Sequence, residues 1–127
     1  MPQAIKAVLI DPYAENAADR VRDIVIDGPD RLEDYYAAIG HGCSMIEAVY
    51  PDAIGGECLY VDEEGLWQQY AGFKLAAFPH PLMGRGIIVG TNENGDTVST
   101  TWKAEEVRPN IAGWLMDFER LAQEQQS

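Results

Sequence analysis

The chain has 127 residues, 46% of them apolar and 24% charged, with a formal net charge of −12. That length suits one domain able to bury a core without disulfides or metals, and the composition is globular, unlike that of an acidic disordered tail. So acidic a chain is repelled by nucleic acid and anionic membrane surfaces and drawn to basic clefts. The charge is also uneven. Positions 1–64 hold 14 of the 21 acidic residues against Lys6, Arg20, Arg22 and Arg31, a local net charge of 4 − 14 = −10.

Ala4 to Ile10 reads as a strand with one wholly apolar face, Ile5, Ala7 and Leu9, stopped by Asp11-Pro12. After a polar loop, Val21 to Ile26 alternates cleanly and is rich in β-branched residues, which predicts a strand at or next to the centre of a sheet. Asp27-Gly28-Pro29 is a turn. Asp30 is a good helix N-cap with Glu33 three residues on, and Leu32, Tyr35, Tyr36 and Ile39 form the apolar face of a short helix ended by Gly40. Asp27, Asp30 and Asp34 sit near its start, where the helix dipole favours carboxylates.

Ser44 to Tyr50 and Cys58 to Val61 read as strands, the second closed by Asp62-Glu63-Glu64-Gly65. Leu66 to Leu75 fits either a short helix or a loop, and Phe78-Pro79-His80-Pro81 must be extended or turning. Gly86 to Thr91 and Thr97 to Thr101 flank Asn94-Gly95, a strong hairpin signal. From 108 to 125 the three- and four-residue spacing of Ile111, Trp114, Leu115, Phe118, Leu121 and Ala122 predicts a C-terminal helix, with Pro109 in its first turn. Together these elements predict one α+β domain over 1–127. Its sheet core spans 4–101 with an inserted helix, as one mixed or largely antiparallel sheet of about five to six strands with two or three helices.

The strand opening "IKAVLIDP", a helix rich in Leu and Tyr, the run "LYVDEEGL" and the glycine-bounded "GRGIIVG" follow one another in an order that carries a resemblance. It resembles a small uncharacterised domain family that recurs in bacteriophage and mobile-element genomes, over residues 4–101. The family pattern would place an Asn followed by small residues after the central turn. Here Tyr70-Ala71-Gly72-Phe73-Lys74 stands there, so no role of that asparagine transfers. The resemblance implies no activity, only a setting: an accessory gene that manages host defence or host gene expression.

Catalytic and metal motifs are weak. Asp62, Glu63 and Glu64 are raw material for a divalent metal but lack the spacing of a calcium loop. His41, Cys43 and Ser44 offer a nucleophile and a base without a recognisable orienting group. Cys43 and Cys58 read as reduced thiols. No metal or cofactor is expected. The leading expectation is a non-enzymatic counter-defence inhibitor that occupies a basic nucleic-acid-binding cleft of a host protein. Asp27, Asp30, Glu33 and Asp34 would form one contact patch and Asp62, Glu63 and Glu64 another. The alternative is a binder of a nucleotide signal through Lys74, His80 and Arg85, where arginine and backbone N–H groups could hold a phosphate. A metal-dependent enzyme is a weaker third reading. Neither the N-terminus nor any apolar run resembles a secretory signal or membrane span, so the expected location is cytoplasmic, with no direct nucleic-acid or membrane partner; a homo-oligomer is compatible with the sequence.

Overall fold

A computed structural model describes residues 4–28, 31–119 and 122–123. In chain order the elements are β1 (Ile5–Ile10), β2 (Val21–Ile26), α1 (Arg31–Ile39), β3 (Ile46–Val49), β4 (Cys58–Asp62), α2 (Gly65–Gln68), β5 (Ala71–Leu75), β6 (Leu82–Met83), β7 (Gly86–Thr91), β8 (Thr97–Val98), α3 (Ala104–Val107) and β9 (Ile111–Met116). The expected α+β domain is present, but its strands divide into two antiparallel sheets. The larger runs β2-β1-β7-β4-β3 with β8 on β7, and the smaller runs β6-β5-β9.

Strict alternation of the large sheet's side chains builds a core on each of its faces. Ile5, Ala7 and Leu9 of β1, Cys58 of β4, and Ile87 and Val89 of β7 point to one side, where Tyr35 and Ile39 of α1 cover them. Val8 and Ile10, Leu59 and Val61, and Ile88 point to the other, where Phe73 and Leu75 of β5 and Ala104 and Val107 of α3 close over them. The molecule is therefore layered as helix, sheet, small sheet. Each fully buried aliphatic or Phe side chain contributes about 1.5–3 kcal/mol to that arrangement.

Three expectations need correction. β2 is an edge strand, pairing only with β1 among the described residues; Val21 and Ile26 at its ends are buried, one in each core, while Ile24 is half-buried and Val25 is exposed. The ambiguous stretch 66–75 splits into the single turn α2 and the buried strand β5. The helix expected over 108–125 does not form over 111–116, which is β9, paired along β5 from Ala71↔Met116 to Leu75↔Ile111; beyond it the described helical residues are 118–119 and 122–123. Without β9, the backbone groups along one side of β5 would lack strand partners, and satisfying them outweighs local helical spacing. Trp114, Leu115 and Phe118, which the helical spacing would place on one apolar face, are exposed.

Candidate functional site

Several segments meet at the end of the large sheet where β1 and β4 finish and β7 begins: the β1–β2 loop, the loop after α1, α2, and the turn before β7. Ile10↔Gly86 and Tyr60↔Ile87 set this end in register. Asp11, only 4% exposed, sits just past β1. Its carboxylate accepts from Arg85 Nε at 2.8 Å, Arg22 Nη1 at 3.0 Å and the Tyr13 N–H at 3.0 Å. Arg85 also donates to the Ile39 carbonyl at 2.9 Å and lies 4.9 Å from the centre of the Tyr13 ring.

Tyr13 stacks on His41 at 4.1 Å, with Tyr70 edge-on to both. Gly40, His41 and Gly42 all have positive φ, which swings this loop across the sheet end. The Tyr13 hydroxyl donates to Gln69 Oε1 and receives the Tyr70 N–H. Its burial raises the Tyr13 pKa from 10.0, an effect partly offset by backbone hydrogen bonding and by Arg85.

Gln69 carries the network on to Asp62. Gln68 and Gln69 donate to Asp62 Oδ2 at 2.7 and 2.8 Å, and the Glu64 N–H donates to Oδ1 at 2.9 Å. Asp62 is thus a buried anchor, also 4% exposed, and not the solvent-facing contact expected of it. With both oxygens engaged it pins the four-residue turn α2 from below. Gly65 approaches the Met83 carbonyl so closely that a Cβ would meet that oxygen at 2.5 Å. Held in this way, α2 turns Leu66 and Trp67 outward, 71% and 74% exposed.

Around that apolar pair stand exposed Glu63, half-buried Glu64, and the edge strand β3 with exposed Glu47, next to exposed Met45. The Glu63 N–H donates to the Met45 carbonyl at 2.9 Å, which ties the two segments together. Glu47, Glu63, Leu66, His80 and Met83 line a groove of about 290 Å³. Sequence reasoning found the Glu63–Glu64 pair but missed Trp67 and Glu47, because nothing local says that a Leu-Trp pair will face water.

The other expected residues scatter. Asp27 and Glu33 are exposed, and Asp30 lies outside the described residues. Asp34 is half-buried, its carboxylate turned in against Gly28 and its Oδ2 buried with no hydrogen-bond partner. Arg31 stands among these acids, its guanidinium on the Ile26 carbonyl at 2.8 Å, and dilutes the patch. Lys74 is exposed on β5 and His80 on the β5–β6 turn, with His80 facing carboxylates of the groove. Arg85, committed to Asp11 and Ile39, joins neither, so the expected phosphate cradle is not assembled.

Cys43 and Cys58 are buried free thiols. Burial pushes Cys43 up to about 11, with Asp62 adding to the rise, so at neutral pH it stays a protonated, poor nucleophile. Among the described residues no group of three or more His, Cys, Asp or Glu side chains could hold a metal. No helix is long and apolar enough to cross a membrane among them.

The chain belongs to the family described as "Domain of unknown function (DUF3846)", which matches residues 5–110. That span takes in both cores and the Asp11–Asp62 network and ends just before β9. Neither a curated protein nor a solved structure matches the chain.

Proposed function

We propose that the protein is a non-enzymatic interaction module, the counter-defence inhibitor of a phage or mobile element, that occupies a basic nucleic-acid-binding surface of a host protein. The observation that carries this reading is the Leu66–Trp67 pair, raised on a pinned helical turn and flanked by Glu47, Glu63 and Glu64. Binding hot spots are enriched in Trp, and an exposed aromatic on a rigid support loses little entropy when it docks. The surrounding carboxylates add steering toward a cationic partner and suit positions where nucleic-acid phosphates would otherwise lie. Within the sheet-end network every carboxylate oxygen of Asp11 and Asp62 is engaged, which suits a scaffold better than a reaction centre.

The test is capture of the partner from host extract, followed by competition with duplex DNA. Trp67→Ala and the pair Glu47→Lys with Glu63→Lys should each weaken capture at least about tenfold, the cost expected of losing a hot spot. Duplex DNA should displace the wild type, and capture should fall as salt rises. A partner that these variants and DNA competition leave undisturbed refutes the proposal.

One observation favours a second reading. A cavity of about 460 Å³ lies against β1 and β2 with Lys6, Lys103 and Trp102 in its lining. A nucleotide-binding role would reside there, not at Lys74, His80 and Arg85. Thermal stabilisation by nucleotides that is lost in Lys6→Ala with Lys103→Ala would establish it.

A further inference from the structure

The two edges of the large sheet are finished differently. Along β2, α3 and its flank lie against the strand: Arg108 Nη2 donates to the Val21 carbonyl at 2.8 Å, and Asp23 accepts the Ala104 N–H at 2.9 Å. At the opposite edge β3 pairs with β4, and no strand of the described residues pairs with its other side. The Glu63 N–H donates to the Met45 carbonyl at 2.9 Å, and the register continues through Ile46↔Asp62, Glu47↔Val61 and Ala48↔Tyr60. Backbone groups alternate sides along an antiparallel strand. Glu47 therefore bonds toward β4, whereas Ile46 and Ala48 direct their N–H and C=O groups to the open edge.

Fixed charge around this edge has a single sign. Between Arg31 and Lys74 the sequence holds eight acidic residues and no lysine or arginine, and that stretch supplies the whole of β3, β4 and α2. Glu47 on β3 and Glu63 just past β4 are exposed, and among the described residues neither is in an ion pair. The groove beside Glu47 adds His80 but no lysine or arginine. Exposed Met45 and Tyr50 bracket the strand.

We infer that β3 takes up an extended basic segment of the partner protein as an added antiparallel strand, with a Lys or Arg opposite Glu47; this rests on the interaction-module reading and names how the partner is held. Main-chain hydrogen bonds to an open edge give such a complex its affinity and alternate side chains its specificity. Because Glu47 bonds toward β4, the residue laid opposite it falls in a non-hydrogen-bonded pair, where the side chains approach most closely. An opposite charge there is stabilising and a like charge destabilising. Charge also rejects other occupants. A second copy, itself of net charge −12, would set Glu47 and Glu63 against the same acids, and a nucleic acid offers phosphates where a cation is needed. The Met45 end of β3 is the end tied to Glu63, from which α2 starts. A strand laid on β3 thus runs to the base of the turn that raises Leu66 and Trp67.

The probe is a synthetic peptide of alternating Arg and Val, compared with the same peptide N-methylated at every Val and with an alternating Glu and Val peptide. N-methylation keeps the charge but removes the N–H groups that would pair with Ile46 and Ala48. The Arg–Val peptide should bind, more weakly at about 0.5 M salt than at about 0.05 M, and the other two should bind at least about tenfold more weakly. On binding, the Ile46 and Ala48 amides should gain exchange protection, while the Glu47 amide is protected throughout. Glu47→Lys should weaken the Arg–Val peptide at least about tenfold, and so should Ala48→Pro, which removes an N–H directed at the open edge and leaves the β4 pairing alone. An Arg–Val peptide that fails to bind, that leaves the Ile46 and Ala48 amides unprotected at saturation, or that binds equally well when N-methylated overturns the inference. Capture from host extract separates this failure from failure of the module reading. A partner lost in Trp67→Ala but retained when the Arg–Val peptide saturates β3 overturns the β3 assignment and leaves the module standing. A peptide that binds as described while no host partner is captured overturns the module and leaves β3 a site for basic strands.

Discussion

Replacing Arg85 with Ala should destabilise the fold by about 2–3 kcal/mol and leave its secondary structure in place. The Asp11 side chain is 6% exposed and Arg85 22% exposed, and breaking a buried ion pair costs about 3–5 kcal/mol when the abandoned charge has no other partner. Asp11 keeps Arg22 and the Tyr13 N–H, which lowers that figure. Against this, the Ile39 carbonyl loses its donor and the Tyr13 ring loses the cation beside it. Arg85→Lys should recover little, because a single ammonium cannot reproduce the fork from Nε to Asp11 and Nη1 to Ile39. In urea, with a slope of about 1–3 kcal/mol per molar, the midpoint should fall by about 1 M or more. Exposed Lys74→Ala should change stability by less than about 0.5 kcal/mol. A cycle combining Arg85→Ala with Asp11→Asn should be strongly non-additive. An additive cycle, or an Arg85→Ala midpoint equal to that of the wild type, would refute the assignment of Arg85 to the scaffold.

Three further outcomes follow from the same geometry. Tyr35→Phe removes a buried hydroxyl that has no hydrogen-bond partner and should be neutral or stabilising in the same urea assay; a loss above about 1 kcal/mol would contradict that reading. Gly65→Ala drives a Cβ into the Met83 carbonyl and should cost about 1–3 kcal/mol, while an equally stable variant would mean that β6 can yield. Burial holds Cys43 up to about 11 from 9.0 and Tyr35 up to about 12 from 10.0. The unfolded chain therefore loses these protons first, so both contributions are complete below about pH 9 and decline as pH rises to about 12. The decline is at most about 1.4 kcal/mol per pH unit for each group, and Cys43→Ala should flatten it between about pH 9 and pH 11. A wild-type midpoint that stays level across that range would show that neither group remains protonated in the fold.

The elements with strong local signals were legible in the sequence. The strands β1 and β2 follow from period-two patterning, β4 from its short apolar run, α1 from its apolar face and Gly40, and the β7–β8 hairpin from Asn94-Gly95. The split into two sheets was not legible, because it depends on which strands exchange hydrogen bonds at long range. The same holds for the candidate site. Asp62, Glu63 and Glu64 are adjacent acids with one chemistry, yet Asp62 is buried under two glutamine amides, Glu63 faces solvent and Glu64 lies between. Only the position of Gln68 and Gln69, fixed by the return of α2 over the strand end, separates their roles.

The misreading of β9 shows where local periodicity loses to tertiary context. Ile111, Trp114, Leu115 and Phe118 satisfy helical spacing, but 111–116 equally supplies the β-favouring residues Ile and Trp, with a Gly at 113 that weakens a helix. A helix would satisfy its own backbone and leave that side of β5 without a strand partner; the strand satisfies β5 and passes an open edge outward. The family-matched span ends at Asn110, so the residues that close β5 and create the new edge lie beyond it. The acidic, Trp67-bearing end lies inside the matched span, whereas β9 lies outside it.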